Sequence, residues 1–120
     1  MKIKTADLTG PALDWAVAKS DGWDGPDLAS YLFTSRRVKP SVDWSQGGPI
    51  IEREEISIAQ DSGTWRADIC PAHGGDHIDM TGPTPLIAAM RCFVASKLGH
   101  EVEIPEELDE QARTDPIMAV

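Results

Sequence analysis

Thr84-Pro85 and Gly99 bracket the most constrained segment of the chain. A threonine can cap a helix by accepting a hydrogen bond from an N–H of the first turn. A proline at the first helical position suits it, because the missing N–H would have no partner there. Between these signals Leu86, Ala89, Met90, Phe93, Val94 and Leu98 recur at the three- and four-residue spacing of one helix face. Lys97 falls in the last turn, where a cation meets the negative end of the helix dipole. Gly99 supplies a stop. The segment predicts an amphipathic helix over Pro85–Leu98 with one face in the core.

The rest of the chain arranges itself around that element. Thr9 can cap an earlier helix, with Pro11 in its first turn and Leu8, Ala12, Leu13, Ala16 and Val17 as its apolar stripe. Asp14 and Trp15 fall off the centre of that stripe, and Gly22 ends the helix. Ile56 to Gln60 and Thr64 to Ile69 alternate apolar with polar residues around Asp61-Ser62-Gly63, which predicts a β-hairpin. Residues 26–33 fit either a short helix or an extended segment. Ser35 to Asp43 reads as a loop broken by Lys39-Pro40, and Gly47, Gly48 and Pro49 break any regular element over Trp44–Glu54. Cys70 to Pro83 reads as a loop. Tyr31 to Phe33 and Ile50 to Arg53 could each add a strand. Val102, Ile104 and Leu108 can fold back on the body. At 120 residues the chain suits one domain. The expected fold is α+β, with two main helices packed on a small antiparallel sheet over residues 1–108. Residues 109–120 form an acidic tail that frays.

A net charge of −9 argues against direct nucleic-acid binding, which needs a basic stripe for phosphates. The acids gather near the end, including Glu106, Glu107, Asp109 and Glu110. They read either as a solvated tail or as a lure for a basic partner surface. Trp15 and Trp23 lie next to acids or glycines, as surface tryptophans in recognition sites do, and join Glu106 and Glu107 as candidate partner contacts. No apolar run is long enough for a membrane span. The opening MKIKTADLTG lacks the apolar stretch of a signal peptide, so a cytoplasmic location is expected. Cys70 and Cys92 then read as free thiols, with Cys92 a small buried hydrophobe.

Several chemistries can be weighed on residue types. Cys70, His73, Asp76, His77 and Asp79 are metal-ligand types, but Gly74-Gly75 separates the histidines and the spacing matches no zinc pattern. No metal and no cofactor is expected. No Gly-x-Ser-x-Gly elbow is present, and Cys92 in mid-helix is poorly placed as a nucleophile. No catalytic residue is assigned. The more specific expectation is a small-ligand pocket built by two glycine–proline segments. Gly47, Gly48 and Pro49 would offer backbone N–H groups beside a stacking Trp44. Gly82, Pro83 and Thr84 lead into a helix N-terminus suited to an anion, with Arg53 or Arg91 as a further anion contact. The plainer alternative is that both segments are turns setting entry angles.

LTGPALDWAVAK (Leu8–Lys19), DWSQGGPIIERE (Asp43–Glu54) and GPTPLIAAMRCFVASKLGHEVEIPEEL (Gly82–Leu108) together resemble the NinX-like family of small phage and prophage proteins, a domain of unknown function. The resemblance implies a phage or prophage accessory protein acting inside the bacterium. It implies no reaction. The motif residues it would carry as a shared site are Trp15, Trp44, Gly47, Gly48, Pro49, Glu52, Gly82, Pro83, Thr84, Pro85 and Arg91. The expected function is therefore non-catalytic: binding a host protein, or sequestering a small anionic nucleotide-like ligand to counter host defence. A homo-oligomer that closes a pocket between two chains would suit the second version. One alternative is a small enzyme acting on a nucleotide or phosphoester through Glu52, Glu54, Asp76, His77 and Arg91. Another is an accessory factor that binds a protein of DNA metabolism.

Overall fold

The computed structural model describes residues 2–22, 38–70, 77–105 and 108. The order is β1 (Lys2–Lys4), a 3-10 turn (Thr5–Asp7), α1 (Gly10–Ser20), α2 (Trp44–Glu54), β2 (Ser57–Asp61), β3 (Thr64–Ile69), β4 (Ile78–Gly82), α3 (Pro85–Leu98) and β5 (Glu101–Glu103). Strands β2, β3 and β4 form one antiparallel sheet in that order, and β1 pairs with β5 in a second. The α+β class is as expected. The expectations for residues 26–33 and for Trp23, His73, Asp76, Glu106, Glu107 and the 109–120 tail lie outside the described residues.

Helix α3 has the bounds its capping signals predict. Thr84 Oγ1 accepts the Ile87 N–H at 3.1 Å. Its environment differs from the expected half-buried face. Leu86 to Met90 and Cys92 to Ala95 are all buried, while Leu98 from the predicted stripe is 40% exposed. The sheet covers one side, and α1 and α2 pack on others. A helix apolar on most sides belongs at the centre of a fold, and α3 is that centre. Thr84→Ala should lower the unfolding free energy by about 1 kcal/mol in urea titrations, the usual loss for an N-cap.

The predicted hairpin is present. Ser62 and Gly63 connect β2 to β3 with φ of 54° and 92°, the paired left-handed conformation of a two-residue hairpin turn. Ala67 and Ile69 are buried and Trp65 packs partly against the core, while Arg66 is exposed. The loop expected over Cys70–Pro83 is corrected at its end: Ile78–Gly82 is a strand, with Met80 opposite Ala67. Its inward positions are Met80 and Gly82. A Cβ on Gly82 would stand 2.9 Å from the Ala88 nitrogen, so glycine lets β4 run close to α3.

The second correction is larger. Trp44–Glu54 is an α-helix, so among the described residues three main helices rather than two pack here, and Ile50–Arg53 adds no strand. Asp43 Oδ1 caps α2 by accepting the Ser45 N–H at 2.9 Å. Glu55 ends it in the left-handed region at φ 57°. Gly47 is buried because of packing: a Cβ there would lie 2.5 Å from the Pro40 carbonyl oxygen and 2.7 Å from Leu86 Cδ1. Ile50 reaches the core and Pro49 stays exposed.

Strands β1 and β5 meet near the end of α3. Ile3 of β1 pairs with Val102 of β5. Thr5 Oγ1 donates to the Gly99 carbonyl at 2.7 Å, and the Thr5 N–H to the His100 carbonyl at 2.8 Å. Val102, Ile104 and Leu108 are buried, as their apolar character predicts.

Candidate functional site

The first glycine–proline segment packs through Gly47 on Leu86, in the first turn of the helix that the second segment leads into. Their donors, however, are engaged. The Gly47 N–H donates to the Asp43 carbonyl at 2.9 Å. Thr84 Oγ1 is occupied by Ile87, and Gly82 is buried within β4. Arg91 Nε donates to the Leu8 carbonyl and Nη1 to the Thr81 carbonyl, both at 2.8 Å. It ties α3 to the start of α1 and to β4, and burial lowers its pKa. Arg53 pairs with Asp21 and Glu54, each at 2.9 Å, and its guanidinium carbon sits 5.6 Å from the Phe93 ring centre. At Gly47 the backbone is closely packed rather than open to a ligand. Gly48 is half-buried, while Pro49 and Pro83 are exposed. Trp44 is 54% exposed.

Trp15 is half-buried against the core, with Lys19 Nζ 5.8 Å from its ring centre. His77 is exposed, its Nε2 3.3 Å from Asp68 Oδ1. Glu52 is exposed, and Glu54 is half-buried beside Arg53 and Lys97. Among the described residues no three metal-binding side chains cluster. Cys70 and Cys92 are free thiols. Cys92 is fully buried, donates to the Ile78 carbonyl at 3.4 Å, and burial pushes its pKa up to about 12. That thiol has no access to its nucleophilic form at neutral pH.

A different cleft has the chemistry of a site. A cavity of about 280 Å³ lies between the first turns of α1 and the turn at residues 38–42. Gly10, Pro11 and Asp14 form one wall, and Lys39, Ser41 and Val42 line the other. Asp14 is 6% exposed and Ser41 is 1% exposed. Asp14 Oδ1 accepts the Ser41 N–H at 2.9 Å, joining the walls. Burial pushes the Asp14 carboxyl up to about 6, with Ser41 pulling the other way. The Ser41 hydroxyl is near enough to favour the carboxylate but forms no hydrogen bond of good geometry, so Ser41 Oγ is buried without a partner. The turn is fixed by the Lys39 carbonyl, which accepts from Val42 and Asp43 N–H groups at 3.1 and 3.0 Å. Thr9 precedes α1 with extended backbone but makes no capping bond with its side chain. Val42 at the cavity edge is 65% exposed. Sequence reasoning passed over Asp14 and Ser41. The available signal was an aspartate one turn inside α1, directly after Ala12 and Leu13 of the apolar stripe.

A family model described as Bacteriophage P22, NinX, matches residues 4–97. The chain belongs to the NinX family of phage proteins. It is thus a phage accessory protein. The NinX match takes in both walls of the Asp14–Ser41 cavity and ends within the last turn of α3, before β5. No curated protein matches the chain. Among the described residues of this NinX-family chain, no helix is long and apolar enough to cross a membrane.

Proposed function

We propose that this NinX-family protein acts by binding: it holds a small nucleotide-like ligand in the cavity between α1 and the Lys39–Val42 turn. Holding the ligand withdraws it from a process of the host, a defence response included. The observation that carries this reading is the pair of buried polar side chains in the cavity wall, Asp14 and Ser41. A buried hydroxyl without a partner is uncommon, and a buried carboxylate is destabilising unless something is gained from it. Both are explained if a ligand's polar groups complete their hydrogen bonding. Val38, Val42 and Pro11 supply apolar wall for a flat ring, and Lys39 supplies a cation for a phosphate. Among the described residues the carboxylate accepts from the Ser41 backbone N–H with the neutral Ser41 hydroxyl close by, a set that recognises a ligand rather than attacks it.

The test is recovery. The full chain is incubated with mixed nucleoside monophosphates, separated from unbound ligand, and denatured. The expected result is a bound nucleotide released chemically unchanged. Recovery of a converted product would instead make the protein an enzyme acting on nucleotides. No retained nucleotide, with equilibrium dialysis also negative, would contradict the proposal.

A further inference from the structure

We infer that the cavity selects a ligand edge carrying two adjacent N–H donors, as guanine does with N1–H and its 2-amino group, and is thus a guanine-nucleotide site. This rests on the nucleotide-binding reading and goes on to name the base. An ionised carboxylate only accepts, and its two oxygens offer about four lone-pair directions. The Ser41 N–H takes one of them on Oδ1, leaving acceptor capacity on both oxygens. Two parallel N–H donors meeting two carboxylate oxygens make the strongest neutral-to-charged pairing available to a planar ring. Adenine and cytosine alternate an amino donor with a bare ring nitrogen on the corresponding edge. That nitrogen's lone pair would face a carboxylate oxygen. Uracil has one N–H between two carbonyls and is repelled on both sides. Guanine alone among the common bases sets two donors side by side, with its 6-oxo group next to them. Ser41 Oγ is buried on the facing wall, beside the carboxylate, without a hydrogen-bond partner, and a hydroxyl can donate to that oxygen. Orientation follows from charge: a phosphate is repelled by Asp14 and attracted by Lys39 on the facing wall. The acceptors are held by α1 on one side and by the hydrogen-bonded turn on the other, so they are in place before the ligand arrives.

The test is calorimetric titration of the full chain with GMP, IMP, XMP, AMP, CMP and UMP. GMP should bind tightest. IMP, which lacks the 2-amino group, should be weaker by about tenfold or more, the value of one hydrogen bond to a charged group. In Asp14→Asn the side chain offers one donor and one acceptor, so XMP, with a 2-oxo group, should overtake GMP. Ser41→Ala should weaken GMP while keeping the GMP-over-XMP order. Nucleotide binding with no preference for GMP over IMP in the unaltered chain would overturn the base assignment and leave nucleotide binding standing; this arm needs no variant. An unchanged GMP-over-XMP order in folded Asp14→Asn would overturn it too. If N-acetylarginine amide bound as tightly as GMP, the paired donors would be a protein arginine's and not a base's. Binding of no nucleotide at all would sink the nucleotide reading itself.

Discussion

Gly47→Ala destabilises the protein by about 3 kcal/mol, as expected when a methyl group is forced into a closed contact. The added Cβ would stand 2.5 Å from a backbone oxygen, that of Pro40, and 2.7 Å from Leu86 Cδ1. Leu86 is itself buried at the start of α3, so it has little room to turn away. The Pro40 carbonyl belongs to the turn that builds one wall of the cavity, so relief would displace that turn. The neighbouring glycine is the control. A Cβ on Gly48 meets nothing nearer than Trp44 Cε3 at 4.0 Å. Gly48→Ala should stabilise by about 0.5–1 kcal/mol, because alanine loses less backbone freedom than glycine in a helix. Urea unfolding of the two variants measures both. Equal shifts would mean that α2 does not pack on the Pro40 turn and Leu86 as described.

Asp14→Asn should make the protein more stable at neutral pH, by about 2–3 kcal/mol if the whole shift is realised. Asp14 titrates near 6 in the folded chain against 3.8 for the free side chain, and burial is the main cause. The folded state therefore holds this proton more tightly than the unfolded state. The stability contributed by the neutral acid is fully present below about pH 4 and is lost as pH rises through about 6. Asparagine keeps an oxygen for the Ser41 N–H and carries no charge to desolvate. The difference in unfolding free energy between variant and parent should be small near pH 4 and grow to a plateau above pH 6. Asp43 and Glu103, whose pKa values are lowered through hydrogen bonds to Ser45 and the N-terminus respectively, act in the opposite sense. They are common to both proteins and cancel in the difference. A difference independent of pH between 4 and 8 would place the Asp14 carboxylate in water rather than in the fold. A residue that lowers stability at working pH is the kind that a binding function retains.

What could be read from residues alone follows from how local the determining forces are. Helix α3 was legible because Thr84, Pro85 and Gly99 act within a turn of their own positions. The β2–β3 hairpin was legible because Ser62-Gly63 sets its own twist. Helix α2 was not, because Gly47-Gly48-Pro49 is a poor helical sequence whose conformation is imposed by Asp43 at its start and by packing on Pro40 and Leu86. Strand β4 was obscured by the glycine- and histidine-rich stretch before it, although Met80 and Gly82 keep the two-residue period. The cavity fell between these cases. Trp44 was singled out and does stay at the surface, but Asp14 meets Ser41 across 27 residues of chain. No local pattern announces such a contact. Gly47 and Gly82 are close-packing positions, and the buried polar pair lies at the other end of the turn that Gly47 packs on.

We propose that the Asp14–Ser41 cavity holds a nucleotide taken from the host. The most direct measurement is to dialyse the full chain against a small-molecule extract of bacterial cytosol, recover and denature it, and identify what it carried by mass spectrometry. One nucleotide is expected, enriched close to one per site on the parent chain and reduced by about tenfold or more on Ser41→Ala and Asp14→Asn. Enrichment of no nucleotide, or equal enrichment on all three proteins, would contradict it.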